Sequence, residues 1–165
     1  MNRNNKTIIS IVSVVISFFG YNFYQKKQAE VVSAEKLTAL HDLTKKFSDE
    51  TDRNKKLNTL KDTLDAQSNY NLNSYKDSKV QDEYKNSITT MRTYFQNYYD
   101  NTLKTNTLSE INTVSDEKVI TDNKTKLDEL TKTIDKEKDY TFETEQQAQN
   151  KQAEIEKLVK NTKNV

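Results

Sequence analysis

Cysteine, proline and tryptophan are missing from this chain, and glycine and histidine occur once each, as Gly20 and His41. Without cysteine there are no disulfides, no thiolate metal sites and no lipid attached through sulfur, a composition compatible with export. One glycine cannot write a phosphate-binding loop or a dinucleotide fingerprint, both of which need several. The same scarcity removes the Gly-containing irregular loops that usually supply an oxyanion hole, so a serine nucleophile would lack its support. Tight hairpins that need positive φ would fall to Asn and Asp alone, which argues against a β-sandwich with regularly spaced turns.

Apolar residues are scarce too, at 33% of 165, against roughly 45–50% in ordinary globular chains. Helices suit that shortage, because each needs one apolar stripe with its other faces solvated. Charge of one sign is also lacking. The 26 Lys and Arg residues are matched by 25 Asp and Glu, and no window has the one-sided basic excess that releases counterions from DNA or RNA. No nucleic-acid partner is expected.

What the chain does have is one uncharged run, residues 7–24, which as a helix would span roughly 27 Å, close to the hydrocarbon thickness of a bilayer. Ile8, Ile9, Ile11, Val12, Val14, Val15, Ile16, Phe18 and Phe19 would be its membrane anchor, with Tyr21, Phe23 and Tyr24 at the interface before Lys26 and Lys27. A buried core helix is the poorer reading, since nothing else in so charged a chain could enclose it. A cleaved signal peptide would use Val32-Ser33-Ala34, yet that site lies across Lys26, Lys27 and Glu30, well past the apolar run. The expected division is therefore a tail and transmembrane anchor over residues 1–25 and a soluble helical domain over 26–165. Arg3 and Lys6 place the N-terminus in the cytoplasm and the C-terminal domain outside the cell, a single-pass cell-membrane protein with the lipid bilayer as one partner.

Beyond the anchor the fold class is all-α, an elongated antiparallel helical bundle or coiled-coil-like domain of three to five helices. Leu37, Leu40, Leu43 and Phe47 make one stripe and Leu57, Leu60 and Leu64 another, fitting one long helix or two with a break near residues 49–54. The polar stretch 69–74 is the expected reversal, with Asn taking the left-handed conformation. Ser78 and Gln81 have the spacing of a capping box for a helix whose Val80, Tyr84, Ile88, Met91, Phe95, Tyr98 and Tyr99 share one arc. That helix should fade over 101–106, where Thr and Asn accumulate. Leu108, Ile111, Val114, Val119 and Ile120 suggest a further helical start, Leu127, Leu130 and Ile134 another helix, and Ile155, Leu158 and Val159 the last, with Asp139 or Thr141 as a cap between them. Residues 56–65 echo 126–135, better explained by a shared coiled stripe than by duplication.

Candidate chemistry is thin, and neither a catalytic residue nor a cofactor or metal site is expected. His41 could serve as base or ligand, but beside Leu40 it reads as a solvated or half-buried helix residue. Asp135, Glu137 and Asp139 imitate the start of a calcium loop, then fail at Tyr140, where Gly is needed, and at Gln146, where a bidentate Glu is needed. A solvated charged helix end explains the run better. Of the aromatic cluster, Phe95 and Tyr99 belong in the core, while Tyr94 at the edge of the arc and Tyr98 just inside it are the candidate partner interface, alongside the alternative that they too are core.

The Asn, Lys, Thr and Ile bias, with Met1-Asn-Arg-Asn-Asn-Lys6 before an Ile/Val/Ser/Phe anchor, is similar in architecture to the membrane-anchored superinfection-exclusion proteins of Gram-positive prophages. That resemblance carries no functional residue. It implies a non-enzymatic surface protein that binds or blocks, stopping phage DNA entry, with a phage or host membrane or surface protein as partner and a homo-oligomer left open. The alternative is a structural accessory subunit of a membrane, secretion or division complex, pairing through the stripes at Leu57 or Leu127.

Overall fold

The computed structural model describes residues 27–73, 76–107 and 117–161. They form five helices: α1 (27–49), α2 (Arg53–Asn71), α3 (Ser78–Asn106), α4 (Glu117–Thr141) and α5 (Glu145–Asn161), and there is no strand among the described residues. The all-α expectation holds.

Local chemistry explains where the helices start and stop. Between α1 and α2, Glu50 Oε1 accepts from the backbone N–H groups of Thr51 and Asp52, each at 2.9 Å. Asp52 then caps α2 by accepting from the Lys55 N–H at 3.0 Å. Two carboxylates thus satisfy amides that a break exposes, so the chain forms two helices here. The Asp52 amide, with that of Thr51, holds the Glu50 carboxyl below the usual carboxylate range.

The reversal after α2 follows the expected position but not the expected geometry. Leu72 closes the helix in the right-handed region, φ −79° and ψ −14°, and no described residue has positive φ. Tyr70 stabilises the turn instead: its hydroxyl accepts from the Asp77 N–H at 2.7 Å. Asp77, one residue before the expected Ser78, caps α3. Helix α3 also runs through 101–106, because Leu103 and Asn106 are buried there and tertiary packing outweighs weak propensity. Between α4 and α5 the cap is Thr144, whose Oγ1 accepts from the Gln147 N–H; Asp139 and Thr141 both lie within α4.

Helix α3 is the spine, and the cross-chain contacts give the helix directions. Thr44 bonds Ser87 and Phe47 packs on Phe95, so α1 runs parallel to α3. Tyr70 packs on Tyr84 while Arg53 lies over Phe95, so α2 runs antiparallel. Gln96 bonds the Thr141 carbonyl and Tyr99 bonds Glu137, so α4 is antiparallel too, and Lys151 on Asp100 returns α5 parallel to α3. The result is an antiparallel bundle of two hairpins on one long helix. A small cluster of Leu40, Tyr70, Val80 and Tyr84 fills one end. The main core runs from Phe47 and Leu60 through Phe95 and Tyr99 to Leu127, Leu130, Ile134, Phe142 and Ile155. The echoing stripes at Leu60 and at Leu127, Leu130 and Ile134 both belong to it.

The single-pass cell-membrane assignment needs correction. Among the described residues no helix is long and apolar enough to cross a membrane. Charges are closely interspersed among the helices' apolar residues, as in Lys55-Lys56-Leu57 and Lys126-Leu127-Asp128-Glu129-Leu130. The orientation assigned from Arg3 and Lys6 has no support once the span is withdrawn. The anchor residues from Ile8 to Phe19 lie outside the described residues, as do Leu108, Ile111 and Val114.

Candidate functional site

Two neighbouring surfaces on α3 carry the chemistry, and they differ in how their arginines are satisfied. Arg53, near the start of α2, reaches the junction of the two hairpins. Its Nη1 and Nη2 donate to Oε1 and Oε2 of Glu137 at 2.7 and 2.5 Å, the parallel-fork geometry that suits guanidinium and carboxylate. Tyr99 donates its hydroxyl to the same Oε2 at 2.7 Å and lies 3.1 Å from the Thr141 hydroxyl. Glu137 is buried, which corrects its reading as part of a solvated helix end; Asp135, on another face, is exposed and pairs with Lys138. Burial lowers the basicity of Arg53, but the Glu137 hydrogen bonds and charge outweigh that and leave its pKa raised.

The same network keeps Tyr99 protonated. Burial first, then its bond to Glu137, pushes the phenol well above the ordinary tyrosine range, and burial beside Tyr70 raises Tyr84 as well. Below the ordinary phenol pKa of about 10 both folded and unfolded chains hold these protons, and the stabilisation is complete. Above it the unfolded chain loses a proton that folded Tyr99 keeps, so stability falls as pH rises. In a tyrosine absorbance titration, Tyr84 and Tyr99 should ionise after the exposed phenols. The urea midpoint should drop from pH 8 to pH 11 by less in Tyr99→Phe than in the parent; equal drops would show that this phenol does not set the alkaline slope.

Outside the fork, the Arg53 guanidinium carbon lies 4.4 Å from the centroid of the Tyr98 ring. Tyr98 also meets Tyr99 edge-on at 6.0 Å, and it is 41% exposed, the large aromatic that α3 leaves at the surface. The two candidate interface residues therefore separate. Tyr94 is partly buried, edge-on to Phe47 at 5.6 Å and to Phe95 at 5.1 Å, and Lys56, whose ammonium donates to the Phe47 carbonyl at the end of α1, lies 4.9 Å from its ring. Phe95 and Tyr99 are fully buried, as their positions in the arc predict. His41 is exposed on α1, with Nε2 3.7 Å from Glu83.

The second surface is a groove of about 440 Å³. It follows the face of α3 that α4 covers farther along, opening where the α4–α5 corner ends and walled by the second half of α2. Gln81, Lys85, Arg92 and Gln96 line it from α3, Gln67 and Asn71 from α2, and Glu143 and Gln147 from the corner. Arg92 Nε donates to the Tyr140 carbonyl at 2.8 Å. Among the described residues no carboxylate forms an ion pair with it. Burial accordingly lowers its pKa, the nearby charge of Glu143 offsetting only part of that effect. Sequence reasoning passed over this groove because Asn and Gln are spread through the whole chain; the signal available was a polar residue at every turn of α3 from Gln81 to Gln96, flanking its apolar arc at Ile88 and Tyr99.

The chain matches no protein-family model, no curated protein and no solved structure.

Proposed function

We propose that the protein acts by binding or blocking another protein, with Tyr98 on α3 as the centre of the contact. The observation that supports this reading is the exposed Tyr98 ring, held between Arg53 and Tyr99. Such a ring presents apolar area and a hydroxyl while losing little freedom on docking, the combination that makes Tyr and Arg frequent at the energetic centres of interfaces. The specific instance is exclusion of incoming phage DNA, which is what the resemblance to prophage exclusion proteins implies and does not depend on the geometry at Tyr98.

The experiment is expression in a phage-sensitive host, measuring adsorption and DNA entry separately. Entry should fall with adsorption unchanged, and Tyr98→Ala should restore entry while altering stability by no more than about 1 kcal/mol, since its ring is substantially solvated. Tyr94→Ala should lose clearly more stability, because its ring contacts Phe47 and Phe95. Unimpeded DNA entry in the presence of the parent protein would remove phage exclusion; a Tyr98→Ala protein as active as the parent would remove this contact.

A further inference from the structure

We infer that the groove between α2 and α3 recognises an extended peptide segment carrying one carboxylate, with the Arg92 guanidinium as its anchor. Two partly buried arginines stand on adjoining helices, Arg53 on α2 and Arg92 on α3. Arg53 meets a bidentate carboxylate from within the protein. Arg92 is half-buried, fixed through Nε to Tyr140, and lines the groove with no carboxylate ion-paired to it among the described residues. A guanidinium withdrawn from water without a counterion is costly, and a ligand carboxylate would supply the missing half of the fork.

The surroundings select among anions. Lys85 adds a second positive charge, but Asp82 and Glu143 line the same groove, so the site is close to neutral. That balance suits a single negative charge better than a doubly charged phosphate. The remaining wall is rich in side-chain amides, Gln67, Asn71 and Gln81 among them. Each offers both a donor and an acceptor, the pair that a peptide group requires. From Gln81 to Arg92 the helix rises roughly 16 Å, enough to lie beside about five extended residues. The inference is independent of the Tyr98 contact, which uses another part of α3.

The test is a nuclear magnetic resonance titration of the full-length, ¹⁵N-labelled chain. The probe is a blocked alanine hexapeptide with one central glutamate, compared with its glutamine counterpart, sodium acetate and inorganic phosphate. The glutamate peptide should shift the Arg92 Nε–H resonance and the backbone amides of Lys85 and Thr89 saturably, with Kd on the order of 1 mM. The glutamine peptide should bind about tenfold more weakly, the loss expected for a charge-assisted bond. Arg92→Lys, which keeps the charge and loses the fork, should weaken the glutamate peptide by a similar factor, and Lys85→Gln should weaken it less. Absence of any Arg92 Nε shift in the parent protein overturns the proposal without reliance on a variant. Acetate binding as tightly as the peptide would overturn the peptide part, and phosphate binding more tightly than either would overturn the choice of a carboxylate. Loss of peptide binding in Tyr98→Ala would contradict the independence of the two surfaces.

Discussion

Glu137→Ala should destabilise the bundle by about 3–5 kcal/mol, the usual result of removing one member of a buried ion pair. The loss is large because three partners depend on this carboxylate: both terminal nitrogens of Arg53 and the Tyr99 hydroxyl. Alanine leaves a guanidinium whose side chain is only 20% exposed without its counterion, and the phenol with the Thr141 hydroxyl alone. Against a total stability of about 5–15 kcal/mol, that is a substantial share. The measurement is urea unfolding followed by helical circular dichroism. A second variant separates the value of the pair from the penalty of breaking it. Arg53→Met, Glu137→Leu and Tyr99→Phe together replace the network with apolar groups of similar volume, and stability should return to near or above that of the parent. If Glu137→Ala costs less than about 1 kcal/mol, the pair is behaving as a solvated surface contact and the packing described between the hairpins is wrong.

That network also shows what could and could not be read from the residues. Apolar spacing on a single helix predicts Phe95, Tyr99, Leu127, Leu130 and Ile134 as core, and all five are buried, since periodicity reports which side of a helix faces its neighbours. The same reasoning places charged residues outside. Lys56 and Glu137 defeat it because each is buried only by virtue of a distant partner: the Phe47 carbonyl for Lys56, and for Glu137 an arginine from the other hairpin. The spacing did mark Glu137, which continues the Leu127, Leu130 and Ile134 stripe to Thr141 while Asp135 and Asp139 fall off it, but its charge argued against burial as long as the partner arginine was unknown. The interval at 49–54 was legible only as one long helix or two with a break, and the identity of the capping residues was open to one-residue error at Asp77 and to a wrong choice at Thr144, because several residues able to cap stand side by side. Of the surfaces, Tyr98 was legible only as one of a pair with Tyr94, and it is the packing of Tyr94 on Phe47 and Phe95 that separates them. The groove was not legible, because it is created by where the α4–α5 corner stops relative to α2.

Phe95→Ala should be the most damaging single truncation on α3, costing about 3–5 kcal/mol in lost burial and residual cavity. Its ring is fully buried, and it lies where the two hairpins meet the spine: edge-on to Phe47 of α1 at 6.2 Å and 5.0 Å from the Arg53 guanidinium of α2. It belongs as well to the same continuous core as Leu127 and Ile134 of α4. One side chain thus touches or adjoins every part of the bundle that must remain together, and the Phe47 and Tyr94 pairs add roughly 0.5–1.5 kcal/mol each beyond area alone. Urea unfolding should therefore remain a single transition with an unchanged slope and a lower midpoint, because the fold loses stability without changing how much surface it exposes on unfolding. Phe95→Leu, which keeps most of the volume, should lose less than half as much. A Phe95→Ala protein whose α1–α2 and α4–α5 hairpins melt in separate steps would show that the coupling between the two halves depends on this one ring, and that the Arg53–Glu137 pair, still present, cannot hold them together without it.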